Sequence, residues 1–242
     1  MLLLQCIAEF VGTMMLIILG DGVVANVNLT KSGMKGAGPI QVTIAWGLAV
    51  MVPAFIFGNA SGASFNPALT IVLGLMNAWA VSRVIWYIIA EFAGAFLGAI
   101  VVYILFKDHF DTTEDPGTKL GVFCTSPSIP NPGRNFFAEL VATFFLVFSI
   151  LGIAQVKGCA SGVEKLLVFG ILVACGMSFG GLTGYAMNPA RDLGPRIAHA
   201  ILPIKGKGDS NFKYGLTVPV FGPIVGSLLA YGLYVIIPWA AK

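Results

Sequence analysis

SGASFNPALT at 61–70 and TGYAMNPARD at 183–192 carry the same Asn-Pro-Ala tripeptide in similar surroundings of small and polar residues. At ordinary residue frequencies, two copies of one tripeptide are expected in roughly one chain in a thousand. Each copy opens an apolar segment that is too short to cross a membrane, 66–76 in the first case and 188–202 in the second. The pairing indicates that the two stretches are equivalent parts of a repeated unit.

A second pair of similar stretches lies upstream of the tripeptides. IAEFVGT at 7–13 corresponds to FAELVAT at 137–143, in the same order relative to the motif. Two matches in the same order indicate an internal duplication of the chain. The prediction is one transmembrane domain over 1–242, with repeats 1–106 and 134–242 and a connecting loop at 107–133.

The composition indicates a membrane protein. Of the 242 residues, 57% are hydrophobic and 10% are charged, whereas soluble domains carry about 25% charged residues. The chain has no charged residue between Lys35 and Arg83, or between Lys213 and Lys242. A soluble fold rarely leaves such stretches uncharged, and a helix needs about 20 apolar residues to cross the hydrocarbon core. The net charge of +3 is too small and scattered to indicate nucleic-acid binding.

Six long apolar segments predict membrane-spanning helices, and nothing in the sequence alternates as the strands of a membrane barrel do. The predicted spans are 3–26, 39–58, 82–106, 135–155, 165–182 and 214–238. Each repeat holds three spans and one short helix, so the second repeat must be inverted relative to the first. The predicted fold class is an all-α membrane protein with six transmembrane helices and two re-entrant half-helices in an inverted duplicated repeat. Such repeats place the functional site at their interface, near the middle of the membrane.

The paired motif has a direct physical interpretation. The first copy consists of Asn66, Pro67 and Ala68, and the second of Asn188, Pro189 and Ala190. Asn is favoured as a helix N-cap and Pro at the first helical position, so each copy is expected to begin a short helix. In an inverted pair the two positive helix starts meet, which disfavours cations and attracts the oxygen atoms of neutral molecules. The alternative is that each copy only begins an interfacial helix.

The stretches before the motifs, 58–66 and 180–188, are predicted to be non-helical. Such backbone is tolerated at membrane depth only when it is buried in protein or lines a water-filled cavity. Their carbonyl groups would then offer a ladder of hydrogen-bond acceptors opposite an apolar wall.

Arg191 lies in the first turn of the second short helix, where a cation opposes the helix dipole and its burial in the membrane is costly. This unfavourable position indicates a role in binding a solute, because the planar guanidinium fits two neighbouring hydroxyl groups. The alternative is a surface arginine that pairs with Asp192.

These residues resemble the aquaporin, or major intrinsic protein, family over essentially the whole chain. GYAMNPARDLGP at 184–195, QCIAEFVGT at 5–13 and AWGLAV at 45–50 are similar to its aquaglyceroporin branch, which includes the bacterial glycerol facilitators. The resemblance implies a homotetramer with one pore in each subunit. An enzyme is not expected, because the sequence contains no nucleophile–base pair, metal-ligand spacing or phosphate loop, and no cofactor is expected.

The resemblance also implies a selectivity filter on the extracellular side, formed by Trp46, Gly176, Tyr185 and Arg191. Gly176 stands where water-selective relatives carry a bulky His, which would leave room for a three-carbon polyol. Trp46 and Tyr185 would contact the C–H side of glycerol while Arg191 binds its hydroxyl groups. Asp192, directly after the arginine, would support the filter.

The family also implies that Glu9 and Glu139 are buried and hold the re-entrant loops by accepting backbone N–H groups. Two positions depart from its pattern. Ser64-Phe65 stands where the family often has His-Leu, which would change the cytoplasmic vestibule, and Tyr185 stands where glycerol facilitators more usually have Phe.

The basic residues do not follow the positive-inside rule in the orientation that the resemblance implies. The inner side would carry Arg83, Lys157, Lys165 and Lys242, and the outer side would carry Lys31, Lys35, Lys107, Lys119, Arg134, Lys205, Lys207 and Lys213. Charge counting alone would invert the protein.

The expected function is passive diffusion of glycerol, water and other small neutral solutes through the cell membrane, that is, the inner membrane of a bacterium. The alternatives are a mainly water-selective channel and an ion-coupled transporter. Coupling is disfavoured because the acids inside the spans do not adjoin the Asn-Pro-Ala motifs; these acids are Glu9, Asp21, Glu91 and Glu139. A metal site is not expected, since the four cysteines form no CxxC pair and no cluster with His109 or His199; they are Cys6, Cys124, Cys159 and Cys175.

Overall fold

The computed structural model describes residues 1–156 and 162–239, so Lys157, Cys159 and Lys242 lie outside the described residues. The elements are α1 Leu2–Asn28, α2 Pro39–Ser61, α3 Pro67–Met76, α4 Val81–Leu105, α5 Lys107–Thr112, α6 Pro116–Phe123, α7 Pro132–Ile153, α8 Val163–Thr183, α9 Pro189–Ile201, α10 Phe212–Gly215 and α11 Val218–Ile236. Among the described residues, six helical segments are long and apolar enough to cross a membrane: α1, α2, α4, α7, α8 and the α10–α11 region. With the short helices α3 and α9, they confirm the predicted fold class.

Helices α2 and α8 continue further than the sequence predicted. The stretches 58–66 and 180–188 were expected to be non-helical, but the helices end at Ser61 and Thr183. The residues that follow, Gly62 and Gly184, adopt left-handed conformations with φ of 97° and 81°. Their N–H groups bond back into the last helical turn, as left-handed glycine caps do. The non-helical segments are therefore shorter than predicted, at 62–66 and 184–188.

The connecting segment 107–133, predicted as a loop between the repeats, contains the two short helices α5 and α6. The Asp115 carboxylate accepts a hydrogen bond of 2.7 Å from the Thr118 N–H, and proline occupies the first helical position of α6. Phe110 and Phe123 from these helices are fully buried and stack on each other. The segment is thus a packed cover over one end of the helix bundle.

Two helix pairs, α1 with α4 and α7 with α11, approach closely at glycines. A Cβ atom built on Gly94 of α4 would lie 2.2 Å from the carbonyl oxygen of Phe10 in α1. In the other pair, a Cβ atom on Gly226 of α11 would lie 2.2 Å from the carbonyl oxygen of Leu140. Small residues permit this approach where lipid supplies no hydrophobic force between helices. The same contact therefore recurs in each half of the chain.

We expect Gly226→Ala to destabilise the protein, because the added methyl group meets backbone that cannot move without separating α7 from α11. The cost is about 2 kcal/mol, or roughly 5 °C in the melting temperature. Thermal unfolding of the detergent-solubilised protein measures it. Gly232→Ala on the same helix is the control, since a Cβ atom there meets nothing within 4 Å. Equal melting temperatures for the two variants would contradict the close-packing argument.

Candidate functional site

The short helices α3 and α9 begin in the same way. The Asn66 side-chain oxygen accepts a hydrogen bond of 3.0 Å from the Ala68 N–H. The Asn188 side-chain oxygen accepts bonds of 3.0 Å and 3.1 Å from the N–H groups of Ala190 and Arg191. Proline follows each asparagine at the first helical position. Both asparagines therefore satisfy N–H groups that the helix itself leaves unpaired.

The two asparagines also bind across the interface between the halves. The Asn66 Nδ2 atom donates to the carbonyl of Met187 at 2.9 Å, and the Asn188 Nδ2 atom donates to the carbonyl of Phe65 at 2.7 Å. The structure thus brings the two motifs together, with Ala68 and Ala190 fully buried at the junction. A side-chain amide has two N–H donors. Each asparagine uses one across the junction, and both asparagines line the same cavity.

The segments that lead into the short helices have the same unusual backbone. Ala63 and Phe65 have positive φ values of 54° and 48°, and the corresponding Tyr185 and Met187 have values of 37° and 48°. Non-glycine residues in this conformation cost of order 1–3 kcal/mol each, so the surroundings must hold them there.

Two buried glutamates from the long helices hold these segments. Glu9 of α1 accepts hydrogen bonds from the N–H groups of Ser64 and Phe65 at 3.2 Å and 2.8 Å. Glu139 of α7 accepts from the N–H groups of Ala186 and Met187, both at 2.9 Å. Each carboxylate therefore satisfies two backbone donors that would otherwise be orphaned at membrane depth.

A third buried acid, Glu91 of α4, was given no role by the sequence analysis. The Ser64 hydroxyl lies 3.0 Å from the Glu9 Oε2 atom and 3.1 Å from the Glu91 Oε1 atom. The Thr70 hydroxyl bonds to Glu91 as well. The departure at Ser64 is therefore part of the anchor of the first loop, where its hydroxyl links two carboxyl groups.

A cavity of about 240 Å³ runs between the two halves and is lined by both Asn-Pro-Ala loops. Its lining includes Trp46, Tyr185 and Arg191, and also Glu164 and Lys165 at the start of α8. Its remaining wall is largely apolar and is formed by Leu16, Val50, Ala54, Leu69, Leu73, Leu146, Ile150, Val168 and Leu172. The lining therefore combines a few polar groups with a large hydrocarbon surface.

Arg191 is buried, with 8% of its surface exposed. Its guanidinium carbon lies 4.0 Å from the centre of the Trp46 ring, which is a cation–π contact. The Nη1 atom donates to the Phe123 carbonyl at 3.4 Å and lies 3.6 Å from the Asp21 Oδ1 atom.

Arg191 does not pair with Asp192, so the alternative of a surface ion pair between them is wrong. Asp192 instead pairs with the buried Arg196, whose Nε and Nη2 atoms both lie 2.8 Å from its Oδ1 atom. Its second oxygen accepts from the Thr125 N–H at 2.8 Å and from the Thr125 hydroxyl at 2.6 Å. Asp192 thus fixes the segment after α6 against the start of α9.

The space beside Gly176 is filled by other side chains. A Cβ atom at Gly176 would lie 2.6 Å from the Thr43 Cγ2 atom and 2.9 Å from the Tyr185 Cζ atom. The absent side chain therefore makes room for the Tyr185 ring, whereas the sequence analysis expected open space there. The Tyr185 hydroxyl is buried and, in the part of the chain that is described, has no hydrogen-bond partner.

Comparison with known proteins gives a consistent result. Residues 1–234 match the family described as "Major intrinsic protein". The chain is 50% identical over 228 residues to the "Probable glycerol uptake facilitator protein" of Thermotoga maritima, which covers 94% of this chain and 97% of the relative. It is 50% identical over 218 residues to the "Glycerol uptake facilitator protein" of Bacillus subtilis, covering 90% of this chain and 79% of the relative.

A solved structure of similar shape is the aquaglyceroporin from Plasmodium falciparum, with a TM-score of 0.86 and 30% identity. The match covers 98% of this chain and 97% of that chain. The resemblance inferred from the paired motifs is confirmed, and the chain belongs to the major intrinsic protein family, in its aquaglyceroporin branch.

Proposed function

We propose that this protein is a passive channel through which glycerol, water and other small uncharged solutes cross the plasma membrane. The observation that carries the proposal is the cavity lined by both Asn-Pro-Ala loops, which combines polar groups with an apolar lining. The printed names of the Thermotoga maritima and Bacillus subtilis relatives, both glycerol uptake facilitators, support glycerol as the solute.

The polar groups that line the cavity suit a solute with hydroxyl groups. Asn66 and Asn188 each retain one amide N–H after bonding across the junction, so a passing hydroxyl oxygen finds donors at the centre. The positive ends of α3 and α9 meet at the same place, which disfavours cations. Carbon-bound hydrogens of the solute would face the apolar wall.

The proposed filter is formed by Trp46, Gly176, Tyr185 and Arg191, with Asp192 as a support. Arg191 has five N–H donors and uses one on the Phe123 carbonyl, so further donors remain for two adjacent hydroxyl groups. Tyr185 lines the same cavity, where its ring would contact the carbon-bound hydrogens of the solute. Asp192 acts indirectly, because it secures the segment that carries Thr125 and the nearby Phe123 carbonyl.

The assembly we propose is a homotetramer in the lipid of a bacterial inner membrane, with one pore in each subunit. Large apolar side chains are exposed along the outer faces of the long helices, as contact with lipid and neighbouring subunits requires. We also propose that the single domain consists of the inverted repeats 1–106 and 134–242.

A mainly water-selective channel is the second candidate. It is favoured by the Tyr185 ring, which occupies the space beside Gly176 that a polyol would otherwise use.

The purified protein in liposomes should accelerate glycerol entry, because the cavity offers hydroxyl-binding groups without any energy source. Stopped-flow light scattering in glycerol and sucrose gradients measures this entry. Water flux without glycerol flux would favour the second candidate. A panel of neutral lactic acid, dihydroxyacetone, urea and hydrogen peroxide defines the range of solutes. Uptake that collapses when proton and sodium gradients are dissipated would reject a passive channel.

Glu139→Gln should reduce glycerol flux, because an amide places N–H donors against the N–H groups of the second loop. The unsatisfied donors cost about 2 kcal/mol, which lowers the melting temperature by roughly 5 °C. Glu114→Gln makes the same chemical change at an exposed loop position and serves as the control. Unchanged flux and unchanged melting temperature in Glu139→Gln would show that the carboxylate does not hold this loop.

Arg191→Ala should relax selectivity, since it removes the cation and enlarges the cavity beside Trp46 and Tyr185. We expect entry of five-carbon polyols to rise several-fold relative to glycerol, with water flux retained. The same swelling assay measures both ratios. Permeability ratios identical to those of the unmodified protein would remove Arg191 from the filter.

A further inference from the structure

We infer that Asp21 is a positioning residue of the filter: its buried carboxylate holds the Arg191 guanidinium in place and compensates its charge. The inference rests on the proposed function, because it assigns Arg191 to a filter for uncharged solutes. It gives a role to an acid that the channel chemistry described so far does not use.

Asp21 is completely buried within α1. In the described part of the chain, neither of its carboxylate oxygens has a hydrogen-bond partner. The charged group nearest to them is Arg191, whose Nη1 atom lies 3.6 Å from the Asp21 Oδ1 atom. An isolated buried charge is too costly to persist, whereas a buried charge beside its opposite is stabilised.

The other acid close to Arg191 along the chain is already paired. Asp192 binds Arg196 through two nitrogen atoms and also accepts two hydrogen bonds from Thr125. The described residues therefore contain two buried pairs in this region, Asp192 with Arg196 and Asp21 with Arg191. Removing either partner of such a pair leaves an uncompensated charge in a medium of low dielectric constant.

The surroundings of Asp21 explain how the pair fixes the arginine. Gly20, the preceding residue, leaves room for the Trp46 ring, which a Cβ atom at that position would approach to 2.4 Å. Trp46 then lies under the guanidinium of Arg191, and the Phe123 carbonyl accepts from its edge. The guanidinium is thus held on one side by α1, α2 and the end of α6.

The pair has an electrostatic consequence for permeation. An uncompensated arginine would attract anions into the filter, and an uncompensated aspartate would attract cations. With both present, the filter keeps its N–H donors but carries little net charge, which suits neutral polyols. If Asp21 served only to stabilise the packing, the kind of ion that leaks through a variant would not depend on which of the two charges is left.

The experiment is a double-mutant cycle in proteoliposomes with an internal pH-sensitive dye and a potassium diffusion potential. Arg191→Ala leaves the Asp21 charge alone and should raise the proton leak about tenfold, as expected for a unit charge a few ångströms away. Adding Asp21→Asn should return the leak to near that of the unmodified protein. The control adds Asp108→Asn to Arg191→Ala, and should leave the leak high because Asp108 is exposed on α5.

Asp21→Asn alone leaves the Arg191 charge uncompensated and should therefore admit anions instead of protons. We expect a several-fold rise in nitrate entry and no change in proton leak. This variant has nearly the shape of the original side chain, so it decides the question if the double variant does not fold. A double variant that leaks as much as Arg191→Ala or more would overturn the inference, and so would an Arg191→Ala variant without a leak. Glycerol swelling of the unmodified protein is measured in the same vesicles. If the unmodified protein does not admit glycerol, the proposed function is wrong. The relative proton leaks of the variants test the role of Asp21 separately.

Discussion

The hydrogen bonds between the two asparagines and the opposite loops are the constraint on which the rest of the structure depends. The Asn66 amide binds the carbonyl of Met187, and the Asn188 amide binds the carbonyl of Phe65. Each asparagine can do this only while its oxygen caps its own helix, because the cap fixes the side-chain orientation. The position of the two helix starts, and hence the centre of the cavity, follows from these four groups.

The buried acids Glu9 and Glu139 satisfy backbone N–H groups that this junction leaves without helical partners. Bringing two helix starts together at membrane depth forces the preceding segments into left-handed backbone at Phe65 and Met187. These two residues are buried and precede the helix starts, so a carboxylate beside each accepts the N–H group that no helix satisfies. Glu9 and Glu139 therefore hold the same two loops as the asparagines do, although they lie on different helices. A channel whose loops were held by weaker acceptors would lose the shape of its cavity.

Local rules of helix chemistry predicted much of this from the sequence. The Asn-Pro pairs begin helices at Pro67 and Pro189 as capping preferences require, and the long apolar segments form the spans. The same rule identifies α6, which starts at Asp115-Pro116 within the segment predicted as a loop. The spacing of Asp192 and Arg196, four residues apart, was likewise a usable signal, because such residues face each other on a helix whereas adjacent residues do not.

Other features depend on contacts between distant parts of the chain. The pair of Asp21 and Arg191 joins α1 to α9, and no local pattern indicates which acid lies beside the arginine. The space at Gly176 depends on the direction of the Tyr185 ring, which is set by the left-handed backbone of the loop.

The reciprocal bonding of the asparagines also bears on whether either half can exist by itself. A fragment that contained only the first repeat would keep the cap on α3, but its Asn66 amide would lose the Met187 carbonyl and its Phe65 carbonyl would lose a donor. Both groups would then be stranded without partners inside hydrocarbon. The fragment would have to pair with a second copy of itself or remain incompletely inserted. When both proposed repeats belong to one chain, neither has to find a separate partner molecule. The sequences of the two repeats can then diverge as long as the groups at their junction still match.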